Sequence, residues 1–193
     1  MEKTRLEAFS DGVLAIIVTI MVLEMKAPDG TNYISDIRPL IPKIISYALS
    51  YLFVAIYWVN HHHLIHTVKK VKPSIMWANL NLLFWLSLIP FATAWMGENH
   101  FEKHTVATYA LLACLCGISF AILQKSIAKH YDESTLKTID RESKWKLVWS
   151  MILYISAIPV ALYVNSLFAG FLFFVVSVMW LIPDKRIEKA LED

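Results

Sequence analysis

The sequence predicts an all-α membrane protein in which six apolar helices form one bundle. Three observations predict this fold class: a high apolar content, six apolar segments, and basic residues concentrated in alternate connections. The chain has 193 residues, of which 57% are hydrophobic, and its mean hydropathy is +0.51. An ordinary soluble domain is less apolar. Since six spans leave little chain outside them, we expect residues 1–193 to form a single membrane domain.

The first apolar segment lies at about Phe9–Met25, and its uninterrupted apolar run is only Gly12–Leu23, between Asp11 and Glu24. Its apolar residues do not alternate with polar ones and it contains no proline, which favours a helix over a strand. A helix that faces lipid needs about 20 apolar residues. We therefore expect this helix to be under-length and to lie inside an assembly, where ionisable residues face the protein interior or a water path.

The other five segments approach the length that spans a bilayer. They are Leu40–Leu64, Ile75–Met96, Val106–Ile127, Trp145–Val164 and Leu167–Ile182. Only Asn165 and Ser166 separate the last two segments, which predicts a tight helical hairpin. Pro90 lies near the end of the third segment, and we expect no helix to be broken near its middle. The connection Ala128–Lys144 is polar and can be partly helical.

The distribution of lysine and arginine predicts the orientation of the six spans. The N-terminal tail, the second and fourth connections and the C-terminal tail carry most of these residues: Lys3, Arg5, Lys69, Lys70, Lys72, Lys125, Lys129, Lys137, Arg141, Lys144, Lys146, Lys185, Arg186 and Lys189. The opposite side carries Lys26, Arg38, Lys43 and Lys103. Because basic residues stay on the cytoplasmic side, we expect both termini to be cytoplasmic in a multi-pass cell-membrane protein.

Several function classes find no support in the sequence. The net charge of +2 is small, so nucleic acid is not an expected partner. No phosphate-binding loop, nucleophile motif or cluster of acids is present, and we expect neither an enzyme nor a cofactor. A membrane-embedded enzyme or scaffold stays an alternative without a visible site. The Thr-Val-Gly-Tyr-Gly filter sequence of potassium channels is absent as well.

Four histidines near the end of the second segment have the composition of a metal site. They are His61, His62, His63 and His66. Consecutive helical residues point about 100° apart, so three adjacent histidines cannot converge on one ion. Only the pairs 62/66 and 63/66 share a helix face. We therefore expect no metal, and instead interfacial histidines of which at least one is a buried hydrogen-bond partner.

Ser10 and Asp11 lie near the cytoplasmic end of the first predicted helix, at the depth where the second helix ends. A buried Asp11 needs hydrogen-bond partners, and Asn60, His61 or Trp58 can supply them. We favour such a network over an Asp11 carboxylate in interfacial water. A secondary transporter that uses Asp11 and His61 as a proton-coupled pair is the alternative function. Transporters commonly show internal repeats and broken helices, and we find neither in the sequence.

The first helix also carries a stripe of apolar side chains. Ile16, Ile20 and Leu23 recur at i, i+4 and i+7, with Thr19 beside them, so they share one face. Periodicity alone favours packing of this stripe against a neighbouring helix. Gly12, Ala15 and Thr19 form an edge of small residues suited to close helix approach.

The residues Arg5, Phe9, Ser10, Asp11 and Gly12 form a motif that continues through Ala15, Ile16 and Thr19 to Leu23 and Glu24. This pattern resembles the potassium channels typified by the endolysosomal channel transmembrane protein 175, which lack the usual filter. Trp58, Asn60 and His61 resemble the same family's element on the second helix. The six-helix length and the N-terminus-inside topology agree over the whole chain, and the remaining helices match only in number and hydropathy.

The resemblance implies a homotetramer that conducts potassium ions, with the first helix lining a central pore. It implies that Ile16 forms a hydrophobic constriction, that Thr19 forms a polar layer, and that Ile20 and Leu23 also face the pore. Glu24 would lie near the outer mouth. The resemblance also implies that Arg5, Phe9, Ser10 and Asp11 hold the helix by hydrogen bonds to the second and third helices. Selectivity for potassium over sodium would be modest.

Overall fold

Seven α-helices are present in the described part of the chain, which comprises residues 2–27, 34–68, 70–129 and 133–181 of the computed structural model. For residues 34–36 and 133–144 only the backbone is described. The helices are α1 (Lys3–Leu23), α2 (Ile41–His66), α3 (Pro73–Leu86), α4 (Ile89–Glu98), α5 (Lys103–Ala128), α6 (Glu133–Tyr163) and α7 (Ser166–Leu181). A 3-10 helix, Ile34–Leu40, precedes α2. Helices α3 and α4 form one span, so the described residues confirm an all-α bundle of six apolar spans, five of them long enough to cross a membrane.

The first helix is longer than its apolar run, so the expectation of an under-length helix is wrong. It has 21 residues, about 31 Å at 1.5 Å per residue. Its added first turns contain Lys3, whose Nζ donates to the His66 carbonyl at 2.8 Å and lies 3.6 Å from Glu7. These contacts stabilise polar residues in helical form and join the start of α1 to the end of α2.

The third span is interrupted at Ser87 and Leu88, although the sequence pattern predicts one unbroken helix. Proline has no N–H and its ring clashes with the carbonyl four residues earlier. Pro90 therefore cannot continue the α-helical ladder to Leu86. The Leu88 N–H instead bonds Trp85 at 3.2 Å in a tighter turn, and α4 begins with Pro90 in its first turn, where proline is tolerated.

Helix α5 lies at the centre of the bundle and packs against α3, α4, α6 and α7. Small and apolar side chains cover its circumference, among them Ala110, Ala113 and Cys116 with no exposed surface. The predicted α6–α7 hairpin is confirmed. Asn165 lies between the two helices, and its Oδ1 accepts the Phe168 N–H at 2.9 Å, which is the way that asparagine caps a helix start. The polar connection predicted as partly helical forms the first turns of α6, from Glu133 onward.

Gly97 lies at a close approach of α4 to α2 and yields a stability prediction. A Cβ added there would lie 2.5 Å from Ser46 Oγ and 2.9 Å from Lys43 Cα. Because the Lys43 backbone cannot yield as a side-chain tip does, we expect Gly97→Ala to cost about 1–3 kcal/mol, as overpacking does. The melting temperature of purified protein in detergent measures this cost.

Gly117→Ala is the matched control for this prediction. Gly117 is also a buried helical glycine, but the nearest atom to an added Cβ is Met151 Sδ at 2.8 Å. A methionine end can rotate away. We therefore expect a much smaller loss of stability at Gly117, and equal losses at the two positions would contradict the backbone clash at Gly97.

Candidate functional site

Helix α1 has two dissimilar faces, and one of them anchors it to the rest of the chain. The buried face contains Leu6, Ser10, Leu14, Ile17 and Met21. These positions recur at intervals of three and four residues, so they form one stripe along the helix. The stripe packs toward α2, α3 and α4. The opposite face of α1 is therefore largely exposed in the described part of the chain.

The stripe predicted from periodicity occupies this opposite face. Ile16 is 58% exposed, Ile20 42% and Leu23 74%, and Thr19 is exposed as well. Periodicity alone favoured packing of this stripe into the core of its own chain. These exposures show that the stripe does not pack there. The Thr19 hydroxyl donates to the Ile16 carbonyl at 2.9 Å. Its proton is thereby directed at the backbone, and its oxygen lone pairs are left free to accept.

A buried hydrogen-bond network holds the start of α1 against α2 and α3. Asn79 on α3 donates from Nδ2 to Ser10 Oγ at 2.9 Å, and its Oδ1 lies 2.6 Å from His61 Nε2. Ser10 in turn donates to the Leu6 carbonyl at 2.8 Å. Ser10 and Asn79 have no exposed surface, and His61 is 2% exposed. One asparagine thus ties three helices together inside the bundle.

The directions of these bonds determine that Nε2 of His61 carries a proton. The Asn79 oxygen can only accept, so His61 Nε2 must be the protonated nitrogen of the ring. His61 Nδ1 then carries a lone pair, and it is buried with no hydrogen-bond partner among the described residues. A proton added at Nδ1 would create a buried charge, which is costly. This geometry favours a neutral His61.

Sequence reasoning did not single out Asn79. The signal was present, because Asn79 is a polar side chain within an apolar span, and such residues commonly face the interior of a membrane bundle. Neighbouring Asn81 gives the same signal, and its Nδ2 donates to Ser119 on α5 at 2.8 Å. The sequence pattern alone therefore cannot distinguish which asparagine contacts α1.

Asp11 has one of the three partners that the sequence suggested. Trp58 donates from Nε1 to Asp11 Oδ1 at 2.9 Å. His61 bonds Asn79 instead, and Asn60 donates to the Ile56 carbonyl of its own helix at 2.7 Å. Asp11 is half-buried and Trp58 is 46% exposed, so this pair lies at the edge of the network and not at its buried centre.

Two further residues of the motif lie on the surface of the single chain. Phe9 is 53% exposed and Arg5 is exposed. An exposed phenylalanine on α1 is available to a second copy of the chain or to lipid. Neither side chain contributes a buried contact to the network around Ser10.

The remaining histidines do not assemble a metal centre in the described residues, where no group of three histidine, cysteine, aspartate or glutamate side chains lies close enough to bind an ion. His62, His63 and His66 are exposed. The His62 and His66 rings share a face, with centroids 6.3 Å apart. Because these three histidines are exposed at the end of α2, their placement agrees with the interfacial position expected from the sequence.

A groove between α1 and α4 runs beside the exposed stripe. Its cavity volume is about 580 Å³, and it is lined by Val13, Ile16, Ile17, Ile20, Glu24, Ser87, Pro90, Phe91, Ala94, Trp95 and Glu98. Glu24 and Glu98 lie at the same end of this α1–α4 groove, because both helices run in the same direction. Glu98 Oε1 is 3.0 Å from Lys43 Nζ, so one of the two carboxylates is paired.

The network around Asn79 yields a second prediction. Asn79→Ala removes the partner of both His61 and Ser10. It leaves the His61 Nε2–H unpaired in a dry interior, while the Ser10 hydroxyl keeps its bond to the Leu6 carbonyl. An unsatisfied buried group costs about 1–3 kcal/mol, so we expect a large fall in the yield of folded protein and in its melting temperature. Size-exclusion chromatography after heating measures both quantities.

Asn60→Ala is the control for the Asn79 substitution. Among the described residues, Asn60 bonds only the carbonyl of its own helix, so its removal leaves no described partner on another helix unpaired. We expect Asn60→Ala to remain close to the wild type in yield and melting temperature. If Asn79→Ala did the same, the network would not be what holds α1 in place.

These features define a class: an all-α membrane bundle whose first helix is clamped by buried polar groups at its start and presents an apolar stripe outward. The sequence profile of the family described as "Endosomal/lysosomal potassium channel TMEM175" matches residues 5–90. A protein named as a potassium channel from Chryseobacterium sp. (strain P1-3) is 48% identical over 193 residues, which is 100% of both chains. The chain belongs to the TMEM175 family.

Two further relatives agree with this assignment. A protein named as a potassium channel from Streptomyces collinus is 33% identical over 129 residues, which is 63% of each chain. The crystal structure of a lysosomal potassium-selective channel TMEM175 homolog from Chamaesiphon minutus has a TM-score of 0.82, with 25% identity over 94% of this chain and 97% of that one. The resemblance seen in the sequence is thus confirmed, and the family is one of ion channels and not of enzymes.

Proposed function

We propose that this chain forms a potassium-permeable cation channel as a homotetramer with α1 nearest the central axis. The observation that carries the proposal is the exposed stripe of Ile16, Thr19, Ile20 and Leu23, on a helix whose other face is anchored. The full-length relative named as a potassium channel supports the same activity. Potassium ions are the permeant species, and selectivity over sodium is modest because no ring of backbone carbonyls replaces the hydration shell.

Packing inside the chain supports a pore between copies and not within one. The described interior is filled with apolar side chains around α5, and the cavity between α2, α5, α6 and α7 has a volume of only about 30 Å³. That volume holds isolated waters and cannot hold a hydrated ion path. The exposed stripe on α1 would therefore face the same stripe of other copies.

In this proposal Ile16 is the constriction. Four isoleucines around an axis make a narrow apolar ring that hydrated ions cross poorly, and such rings gate by dewetting. Thr19 lies one turn further along the helix and forms the polar layer, with Ile20 and Leu23 as further apolar pore-facing residues. Glu24 lies near the outer mouth, where its charge raises the local cation concentration.

The surrounding residues have a structural role in this proposal. Ser10 and His61 hold the start of α1 through Asn79, and the Trp58–Asp11 bond supports it at the edge, so that the ring keeps its diameter. Arg5, Phe9 and Asn60 lie beside this network without joining it in the described residues. Both termini are cytoplasmic in a cell membrane, as the basic connections indicate. Of those basic residues, Lys69, Lys185, Arg186 and Lys189 lie outside the described residues.

Recording from purified protein in planar bilayers, together with native mass spectrometry, tests the proposal. We expect discrete unitary current steps and a mass of four copies. The broken third span matches one feature of secondary transporters, so a transporter stays the alternative. A transporter would give no unitary steps, and Asp11→Ala would then abolish proton coupling while leaving assembly normal. A conducting monomer would overturn the tetramer.

A further inference from the structure

We propose that Thr93 and Ser50 are positioning residues for ion selectivity. Together with Tyr109 they form a buried group of three hydroxyls, here named the outer seat, on which Met21 of α1 rests. The inference rests on the proposed channel and goes beyond it, because it gives a role in selectivity to side chains on α2, α4 and α5 that do not face the stripe. The network around Asn79 fixes the start of α1, and the outer seat fixes the same helix near its end.

The outer seat joins three helices in the interior of the chain. Ser50 on α2 has no exposed surface, Tyr109 on α5 is 2% exposed and Thr93 on α4 is 3% exposed. Ser50 Oγ lies 2.7 Å from Thr93 Oγ1 and 3.0 Å from the Tyr109 hydroxyl. Two buried hydrogen bonds therefore tie α2 to α4 and α2 to α5 at one level of the bundle.

The hydroxyl protons of the outer seat point in one direction. Thr93 Oγ1 also lies 2.7 Å from the Ile89 carbonyl, which can only accept. A threonine hydroxyl has one proton, so this proton is donated to Ile89, and Ser50 must donate to Thr93. Tyr109 must then donate to Ser50. The chain of hydrogen bonds ends on the first residue of α4, so it also holds the turn that follows the interruption of the third span.

Met21 connects the outer seat to α1. Its side chain is 2% exposed, and its Sδ lies 3.8 Å from Thr93 Oγ1. Because the Thr93 proton is donated to Ile89, this contact is packing of the sulfur against the hydroxyl and not a further hydrogen bond. Methionine adapts to the surface on which it packs, so the position of Met21 follows that of Thr93.

Met21 lies behind the side of α1 that faces the proposed pore. Thr19 is two residues before it and Leu23 is two residues after it, which at 100° per residue places both about 160° from Met21 around the helix. Thr19 and Met21 are also only about 3 Å apart along the axis. A shift of Met21 on the outer seat therefore moves Thr19 and Leu23 toward or away from the proposed ion path.

Two fixed points determine the tilt of α1, whereas one point would leave it free to pivot. Ser10 is held through Asn79 and Met21 is held by the outer seat, eleven residues further on, about 16 Å along the helix. Without the outer seat, α1 would pivot about Ser10. Thr19 is nine residues from this pivot and Ile16 is six, so the proposed polar layer would move more than the proposed constriction.

Thr93→Val tests the outer seat. Valine keeps the shape of threonine and removes the hydroxyl, so it breaks the bond to Ser50 without emptying the space behind Met21. Under bi-ionic potassium and sodium conditions we expect the permeability ratio to fall about twofold, which moves the reversal potential toward zero by about 18 mV. Thr93→Ser keeps the hydroxyl and should retain the wild-type potential.

Ser50→Ala and Ser119→Ala form a matched pair that separates positioning from lost stability. Ser50 is 0% exposed and Ser119 is 1% exposed. Each bonds a side chain on another helix, and the partner of Ser119 is Asn81 on α3, at 2.8 Å. We expect both variants to lower the melting temperature to a similar extent. Only Ser50→Ala should shift the reversal potential, because only Ser50 belongs to the group that contacts Met21.

The outcomes separate this inference from the proposed channel. A shift in Thr93→Val and Ser50→Ala, with none in Thr93→Ser and Ser119→Ala, supports the outer seat. An unchanged potential in the first two variants, in protein that gives unitary currents, would overturn the outer seat and leave the proposed channel intact. An equal shift in Thr93→Ser or Ser119→Ala would show that the hydroxyl chain is not the cause and would also overturn it. A wild type without unitary currents would overturn the proposed channel, and the inference with it.

Discussion

Replacing Ile16 with asparagine or alanine should raise the unitary conductance and weaken the preference for potassium over sodium. In the proposed ring an isoleucine makes a dry passage, and an ion must shed water to cross it. Alanine widens the ring, and asparagine supplies polar groups that keep it wet. Both changes remove the step at which the more easily dehydrated cation is favoured. The reversal potential under bi-ionic potassium and sodium conditions measures the preference.

The size of this effect can be stated in advance. A tenfold change in the permeability ratio moves the reversal potential of a monovalent cation by about 59 mV. Because the starting selectivity is modest, we expect Ile16→Asn to move the potential toward zero by about 30–60 mV. Ile16→Ala should act in the same direction and more weakly, since it enlarges the ring without hydrating it.

Ile155→Asn is the matched control. Ile155 has nearly the same exposed fraction as Ile16, 56% against 58%, but it lies on α6, away from the stripe. Asparagine at either position places the same polar group on the surface of one chain. If the Ile155 variant shifted the reversal potential and the Ile16 variants did not, the pore would lie elsewhere and the Ile16 stripe would be ordinary packing.

The spans and their order could be predicted from the sequence because hydropathy and connection length are local properties. The hairpin at Asn165 follows from the two residues between apolar runs. The break at Ser87 could not be placed in this way, because a proline near a helix end and a proline that splits a span look alike in sequence. The length of α1 was missed for a related reason: Lys3 is stabilised by the distant His66 carbonyl.

Part of the site could be predicted from the sequence and part could not, and this difference has a physical cause. Helical periodicity assigns Ile16, Ile20 and Leu23 to one face, but it cannot tell whether that face meets its own chain, another copy or lipid. The ends of the first two helices were expected at the same depth, which predicted that Asp11 lies near Trp58. The structure contains a hydrogen bond between these two side chains. The contact of Asn79 with Ser10 could not be predicted in this way. The rotation of α3 about its own axis depends on how three helices pack together and not on the sequence of any one of them.

Replacing Thr19 with valine should reduce the selectivity for potassium while leaving the number of copies unchanged. The Thr19 proton is donated to the Ile16 carbonyl, so the hydroxyl oxygen presents its lone pairs to the proposed pore, as a cation requires. Positions 16 and 19 are about 4.5 Å apart along the axis. An ion that leaves the Ile16 ring therefore meets these oxygens at once, and they replace some of the water it has lost.

Valine keeps the shape of threonine and removes only the oxygen, so a change in the reversal potential reports the hydroxyl and not the packing. Thr19→Ser is the complementary variant, since it keeps the hydroxyl and removes the methyl group. We expect serine to retain most of the selectivity under the same bi-ionic conditions, and native mass spectrometry to give four copies for both variants. A loss in the serine variant with none in the valine variant would assign the effect to the methyl group, and the polar layer would then not be formed by Thr19.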